Sequence, residues 1–477
     1  MSQSEKEGRP YGLVRRFFFV NIVALQFGID STLWLPTVYS YVASLHDTRV
    51  SYYVSMAQFL SAAVQFVTSM LIGPIVAYFG ASIKWGIVVL VFCSAVGNFI
   101  YSCAGRHAIS SVWAIVGGRL ICGIASGSTA LAMAYIVSSS TLDERLPALS
   151  LYRTFGGIAF VIGPLLSVVL TLFTFHIGLF AVSPNNASTF VASGIFLCLS
   201  IVTALGLADK KATQLNFVTY LTKHSEELFQ NGTEVWLMPF YMLFFLFISA
   251  FLMAGVQFIM SDLLRSPDHW GLNLTLISGL QAIVFFFALF GSLFAESFRK
   301  FIAQVLGNVS KAYADLISSP LTDKSAAHEK IVASVLPEIV LSSISFAGSI
   351  IGAILVIVSL SIYQAGDHDK AGSVVCFLLG CILSMLAYNV QAASLPSLYS
   401  KSIPPKLRVI MTPWYGATVA LGKLAAPPII EAIGSSRTSN SGWIGSQALC
   451  IGVAIVGAAL LYLSRRTLLR TTLLHNA

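Results

Sequence analysis

Three charged side chains fall deep within long apolar runs, and they offer the most chemistry in this sequence. At ~1.5 Å of helix per residue, Asp30 lies about 20 Å into the run that begins near residue 17. On the same scale Arg119 lies about 12 Å from one end of the run 111–137, and Lys423 about 20 Å into the run 409–434. Charges at such depth in hydrocarbon are costly, and they persist where they pair, line a pathway or contact a solute. Asp30 and Arg119 differ in depth by no more than a long side chain can span, so pairing would neutralise both. Two roles are open to that pair. One is a static ion pair that fixes helix packing. The other is a coupling device, in which Arg119 swings to a solute and the abandoned Asp30 takes up a proton. Lys423 has no acid at its own depth in the second half of the chain. Contact with an anion, pairing with Asp30 across a central cavity, and snorkelling all fit it. Gln65, Asn98 and Tyr415 are the deepest uncharged polar groups and join Lys423 as candidates to line a solute or anion site.

Helices long enough to cross a bilayer must hold these residues. Of the 477 residues 56% are hydrophobic and only 10% charged, with mean hydropathy +0.81. Soluble domains carry about 25% charge, which excludes a soluble enzyme, a disordered chain and a disulfide scaffold. Spans of about 20 residues each read at 17–44, 52–79, 83–104, 111–137, 150–174, 189–208, 236–261, 275–296, 338–364, 372–399, 409–434 and 442–464. The expected class is an all-α polytopic membrane protein. Residues 1–16 form an N-terminal tail, 17–208 a six-helix bundle and 209–235 a linker. Residues 236–464 form a second six-helix bundle with a long loop at 297–337, and 465–477 a C-terminal tail. The first run is too long for the core of a cleaved signal, so it reads as a retained helix.

Charge placement sets the orientation. Twenty of the 28 Lys and Arg fall on the side that carries both termini, against five on the other, with Arg119, Arg153 and Lys423 inside spans. Basic residues collect in cytoplasmic loops, so both termini are expected in the cytoplasm. The same placement accounts for the net charge of +8 without nucleic acid, which leaves the lipid bilayer as the large partner. An internal repeat supports two related halves: an offset of 263 superposes Arg145 on Arg408, Tyr152 on Tyr415 and Pro164 on Pro427.

A family resemblance follows from these motifs. Gly118-Arg119-Leu120-Ile121-Cys122-Gly123, Leu142-Asp143-Glu144-Arg145 and Gly156 to Gly163-Pro164 resemble the major facilitator superfamily. Within it, these motifs and Leu398-Tyr399-Ser400-Lys401 are most similar to the lysosomal member linked to neuronal ceroid lipofuscinosis. The resemblance implies twelve transmembrane helices in two pseudo-symmetric six-helix bundles and alternating access between them. In the superfamily's loop between the second and third helices, Gly73 and Gly80 remain, but Ala77 and Tyr78 replace an Asp-Arg pair. That departure moves the expected gate toward Arg145 and its neighbours. Gly156, Gly163, Pro164 and Pro427 are expected to bend the fifth and eleventh helices or let neighbours approach.

The function expected is secondary transport of a small solute or anion across an endolysosomal membrane, with protons as a candidate co-substrate. A chloride channel-like conduit and a non-transporting receptor or scaffold are the alternatives. No metal-ligand cluster, phosphate loop or nucleophile triad is visible, so neither catalysis nor a cofactor is expected. The sequons at Asn186 and Asn273 fall on the luminal side and are candidate glycan sites; those at Asn231 and Asn308 fall on the cytoplasmic side.

Overall fold

A computed structural model describes residues 10–34, 37–45, 50–105, 111–170, 174–177, 180–212, 214, 233–265, 270, 274–307, 325–364, 370–434 and 440–476. In the first half α1 spans Pro10–Thr32, α2 Val38–Ser44, α3 Val50–Tyr78 and α4 Ile83–Ser102. There follow α5 Val112–Ala125, α6 Gly127–Ser139, α7 Arg145–Leu170 and α8 Ala187–Gly206. The second half comprises α9 Thr233–Arg265, α10 Leu274–Val305, α11 Ser325–Gln364 and α12 Lys370–Ser402. The short α13 Arg408–Met411, then α14 Trp414–Gly434 and α15 Asn440–Asn476, complete it. Eleven helices among the described residues are long and apolar enough to cross a membrane. With α14 between them, they form the all-α membrane fold that the hydropathy predicts.

Several expected boundaries move. The first span divides into α1 and α2. The fourth divides at Ser126 into α5 and α6. Residues 465–476, expected as a tail, are helical and continuous with α15. Much of the 297–337 loop is helix: α10 runs on to Val305 and α11 starts at Ser325. Helix α7 starts at Arg145, five residues before the expected span. A hairpin of Phe175–Ile177 paired antiparallel with Phe180–Val182 joins α7 to α8, a feature that hydropathy does not reveal. Of the 209–235 linker, only the ends are described.

Each half packs on its own apolar surface, and the halves meet along two seams, α7 against α10 and α12, and α3 against α14 and α13. The outward rows are apolar too: Phe92, Phe99, Leu205, Phe286 and Phe287 are exposed. A helix apolar on all sides suits a lipid surround.

Glycine decides how closely the seams approach. A Cβ at Gly73 would lie 2.6 Å from the Ile410 carbonyl and 2.8 Å from that of Val409, so α3 crosses α13 with bare backbone. Gly80 has φ of +56° and closes α3 by a left-handed turn that an L side chain resists. The Ala81 amide then donates to the Val76 carbonyl at 2.9 Å.

Gly73→Val should therefore lower the melting temperature in detergent, by the equivalent of about 1–3 kcal/mol for an overpacked contact. Gly156→Ala is the control. A Cβ there meets Ala24 at an ordinary 3.9 Å, so its melting point should stay at the wild-type value.

Candidate functional site

The Asp30–Arg119 pair forms. The Arg119 guanidinium lies 3.2 Å from Asp30 Oδ1, both side chains being about 6% exposed. Around it, Asn98 Nδ2 donates to Asp30 Oδ1 at 2.8 Å and Ser94 Oγ to Oδ2 at 2.8 Å. The Trp34 ring lies under the guanidinium, 4.5 Å from its carbon. The carboxylate is thus held by donors from α4 and α5 at once, as a charge with no water must be. Asn98, expected on the solute site, is used here; it also donates to the Ser94 carbonyl at 2.9 Å. Since Asp30 belongs to Arg119, Lys423 does not pair with it.

Lys423 faces a ring of the opposite half instead. Its Nζ lies 5.5 Å from the centroid of Phe27, on α1. Arg153, on α7, makes the reciprocal contact: its guanidinium carbon lies 4.9 Å from the ring of Tyr415, on α14. Two cation–π contacts therefore cross the seam in opposite directions. Arg153 is the charged neighbour that acts on Lys423. No ion pair joins either cation to an acid among the described residues, and Arg153 Nε is buried with no partner there. Tyr415 is 4% exposed, so it serves as the bed of Arg153. Gln65 is buried on α3.

Sequence reasoning passed over Arg153. It counts among the charges inside spans, but only three residues into the expected span 150–174, too shallow to mark it as a central group. Because α7 begins at Arg145, Arg153 is really about 12 Å along the helix. An available signal was that it, too, lacks an acid at its depth.

The end of the bundle that carries both termini is closed between the halves. Arg145, 2% exposed, reaches across to the Ser400 carbonyl at 3.1 Å, in the last turn of α12. A cation suits those unpaired carbonyls. Beside it, Ser150 Oγ donates to the Ser292 carbonyl, and Leu146 packs on Ala295 and Ala393. Lys401 makes a buried pair with Glu338 at 2.7 Å and donates to Ser334 Oγ at 2.9 Å. On the same face Arg16 meets Glu144 at 3.5 Å, and Lys210 donates to the Ser138 carbonyl at 2.7 Å. Burial, and then the Arg16 charge, push Lys210 below the usual lysine range. Deeper along the seam Phe160 and Phe285 meet at 5.6 Å.

The other expected residues are placed as follows. Gly156, Gly163 and Pro164 lie within α7, which is helical throughout, and Pro427 lies within a continuous α14. Gly163 packs on Thr32 of α1. Asn186 is 4% exposed, and its Nδ2 donates to the Ser102 carbonyl at 3.1 Å. Asn273, Asn231 and Asn308 lie outside the described residues. Among the described residues no group of three His, Cys, Asp or Glu could hold a metal. A narrow pocket lies inside the second half, between Ser249, Met253, Ser384, Gln391 and Gln447. It is uncharged, and Ser384 Oγ, Gln391 Nε2 and Gln447 Oε1 around it are buried without partners among the described residues.

The model of the Major Facilitator Superfamily matches residues 17–320. The chain is 29% identical over 456 residues to the MFS-type transporter PUL3 of Kluyveromyces lactis, covering 95% of this chain and 97% of that protein. It is 25% identical over 309 residues to the uncharacterized membrane protein YNR062C of Saccharomyces cerevisiae, covering 64% and 93%. Among solved structures, the human organic anion transporter MFSD10 superposes with a TM-score of 0.64 at 13% identity, covering 94% of this chain and 99% of that one. The Escherichia coli fucose:proton symporter FucP superposes with 0.59 at 12%, covering 94% and 99%. Both likenesses are of fold. None of these is the lysosomal protein that residues 111–170 resemble.

Asp30→Asn should strand Arg119 and cost about 3–5 kcal/mol, the scale for breaking a buried pair. Removing both charges, as in Asp30→Asn with Arg119→Gln, should recover most of that loss. Thermal unfolding of the two single variants and the double variant checks it; a double loss equal to the sum of the two single losses would show that the pair contributes no coupling.

Proposed function

Because the chain belongs to the Major Facilitator Superfamily, whose model covers residues 17–320, we propose that it is a secondary transporter carrying a small anionic solute by alternating access. One observation carries the anionic reading. Lys423 and Arg153, from opposite halves, face the central seam with aromatic rings rather than carboxylates beneath them. A ring face is a weak partner, about 0.5–2 kcal/mol per contact, and an anion entering between the halves outcompetes it. The solute then replaces Tyr415 and Phe27 as the partner of the two cations, which couples binding to the seam itself.

Closure at the face of the termini supplies the gate. Arg145 on Ser400, Gly73 under α13 and Ser150 on Ser292 must separate for the site to open there. A gate built from many cross-half contacts favours a carrier over a chloride conduit. With their charges matched in a closed network, Asp30 and Arg119 are assigned to the architecture of the first half, so protons are not a required co-substrate in this reading. Intramembrane cations with no acid partner among the described residues also weigh against a receptor or scaffold, which has no use for them.

The Lys and Arg bias supports cytoplasmic termini, and the resemblance of residues 111–170 and 395–430 supports an endolysosomal membrane. Fluorescent tagging at the C-terminus, with protease protection of isolated organelles, tests both placements.

Lys423→Ala should reduce anion transport in proteoliposomes at least ten-fold while leaving the melting temperature at or near that of the wild type, because the cation has only a ring as partner and its place in the membrane is itself costly. A melting point several degrees lower, with transport retained, would instead make Lys423 a packing residue.

A further inference from the structure

The two central cations bear on how much charge the carrier moves in each cycle, and this inference rests on the anionic-solute reading above. Arg153 is eight residues from the start of α7 and Lys423 nine from the start of α14. Both helices start at the same face, so at ~1.5 Å per residue the two charges share a depth of about 12–14 Å. Of the acids described in the helices, Asp30 is taken by Arg119, Glu338 by Lys401 and Glu296 by Arg299, while Arg145 is met by the Ser400 carbonyl at the face of the termini. Rings, which carry no net charge, face the central two. The empty site therefore holds two uncompensated positive charges.

Alternating access passes through an occluded state in which both ends are shut. In the open state water and counterions screen the two cations. Occlusion removes that screening, and taking a charge out of water is costly unless an opposite charge goes with it. Empty, the carrier would occlude two charges; with a monoanion, one; with a dianion, none. The two cations also repel each other across the seam, so the empty site resists the closure that a dianion favours.

We propose that the carrier reorients only when its site holds two negative charges, which makes it an obligate exchanger of dianions such as dicarboxylates or oxyanions of the sulfate and phosphate class. Two monoanions bound together would satisfy the same charge balance, and the experiment separates the two sources.

The full-length protein is reconstituted into liposomes, and uptake is measured for radiolabelled succinate, phthalate, phosphate and sulfate as dianion probes, with acetate and chloride as monoanion probes. At least one dianion should enter vesicles preloaded with the same dianion ten-fold or more faster than vesicles holding only chloride. That exchange should be insensitive to an imposed potassium diffusion potential, because no net charge moves. Lys423→Met leaves one cation and should shift the ratio of dianion to monoanion exchange at least ten-fold toward the monoanion; its binding to the probes by thermal shift shows that it is folded. Equal uptake into preloaded and chloride-filled vesicles would overturn obligate exchange while leaving the anionic reading intact. Exchange of acetate or chloride as fast as that of any dianion in the wild type would overturn the valence. Failure of every anion both to exchange and to shift the melting temperature would overturn the anionic reading itself.

Discussion

A charge in hydrocarbon needs a counter-charge or water, and the layout of this protein follows from how each interior charge meets that demand. Asp30 is met by Arg119, Asn98 and Ser94. Glu338 is met by Lys401. Arg145 is met by a helix-end carbonyl of the other half. Only Lys423 and Arg153, among the described interior charges, rest on rings alone. The satisfied groups brace the halves or the face of the termini, whereas these two sit on the seam between the halves. The transport reading grows from that contrast.

The seam itself is designed for separation. It contains backbone-to-backbone approaches at Gly73, single hydroxyl-to-carbonyl bonds at Ser150, and small apolar contacts around Leu146. Each is individually modest, on the order of 0.5–1.5 kcal/mol for a net hydrogen bond, so the contacts can be exchanged for a different set at the other end. The buried ion pairs, by contrast, lie within a half: Asp30–Arg119 in the first and Glu338–Lys401 in the second. Costly charge separation is thereby kept out of the moving surface, and each bundle is free to move as a unit.

The halves share a plan without sharing chemistry. Each half holds one buried ion pair, but that of the first lies deep among donors from α4 and α5, whereas that of the second lies near the face of the termini. The second contains the uncharged pocket around Gln391 and Gln447, with Ser249 donating to Gln391 Oε1 at 2.6 Å. Similarity in backbone plan at weak sequence identity is what duplication followed by divergence leaves behind.

The sequence alone determined the class of the molecule, because hydropathy and the placement of Lys and Arg are properties of composition along the chain. It also made Asp30 and Arg119 candidate partners, since depth along a helix is set by residue count; that Lys423 was not the partner of Asp30 was decided only by the packing. Glycines at 73 and 80 were legible as motif positions, though not the reason for them: one is a contact with the other half, the other a left-handed turn. What the sequence misplaced were groups near helix ends. Glu338 and Lys401 read as boundary charges, and Arg153 as a charge just inside its span, because hydropathy falls where charges begin, yet α11 and α12 continue past those points and α7 begins earlier, which carries all three inside. Asn98 and Asn186 read as free polar groups because their partners, Asp30 and the Ser102 carbonyl, are distant in sequence. The reciprocal clasp of Arg153 on Tyr415 and Lys423 on Phe27 was likewise out of reach, since it joins four residues on three helices of two halves. A one-dimensional pattern fixes how deep a residue sits along its helix; which way the side chain faces, and what meets it there, is decided only when the helices pack.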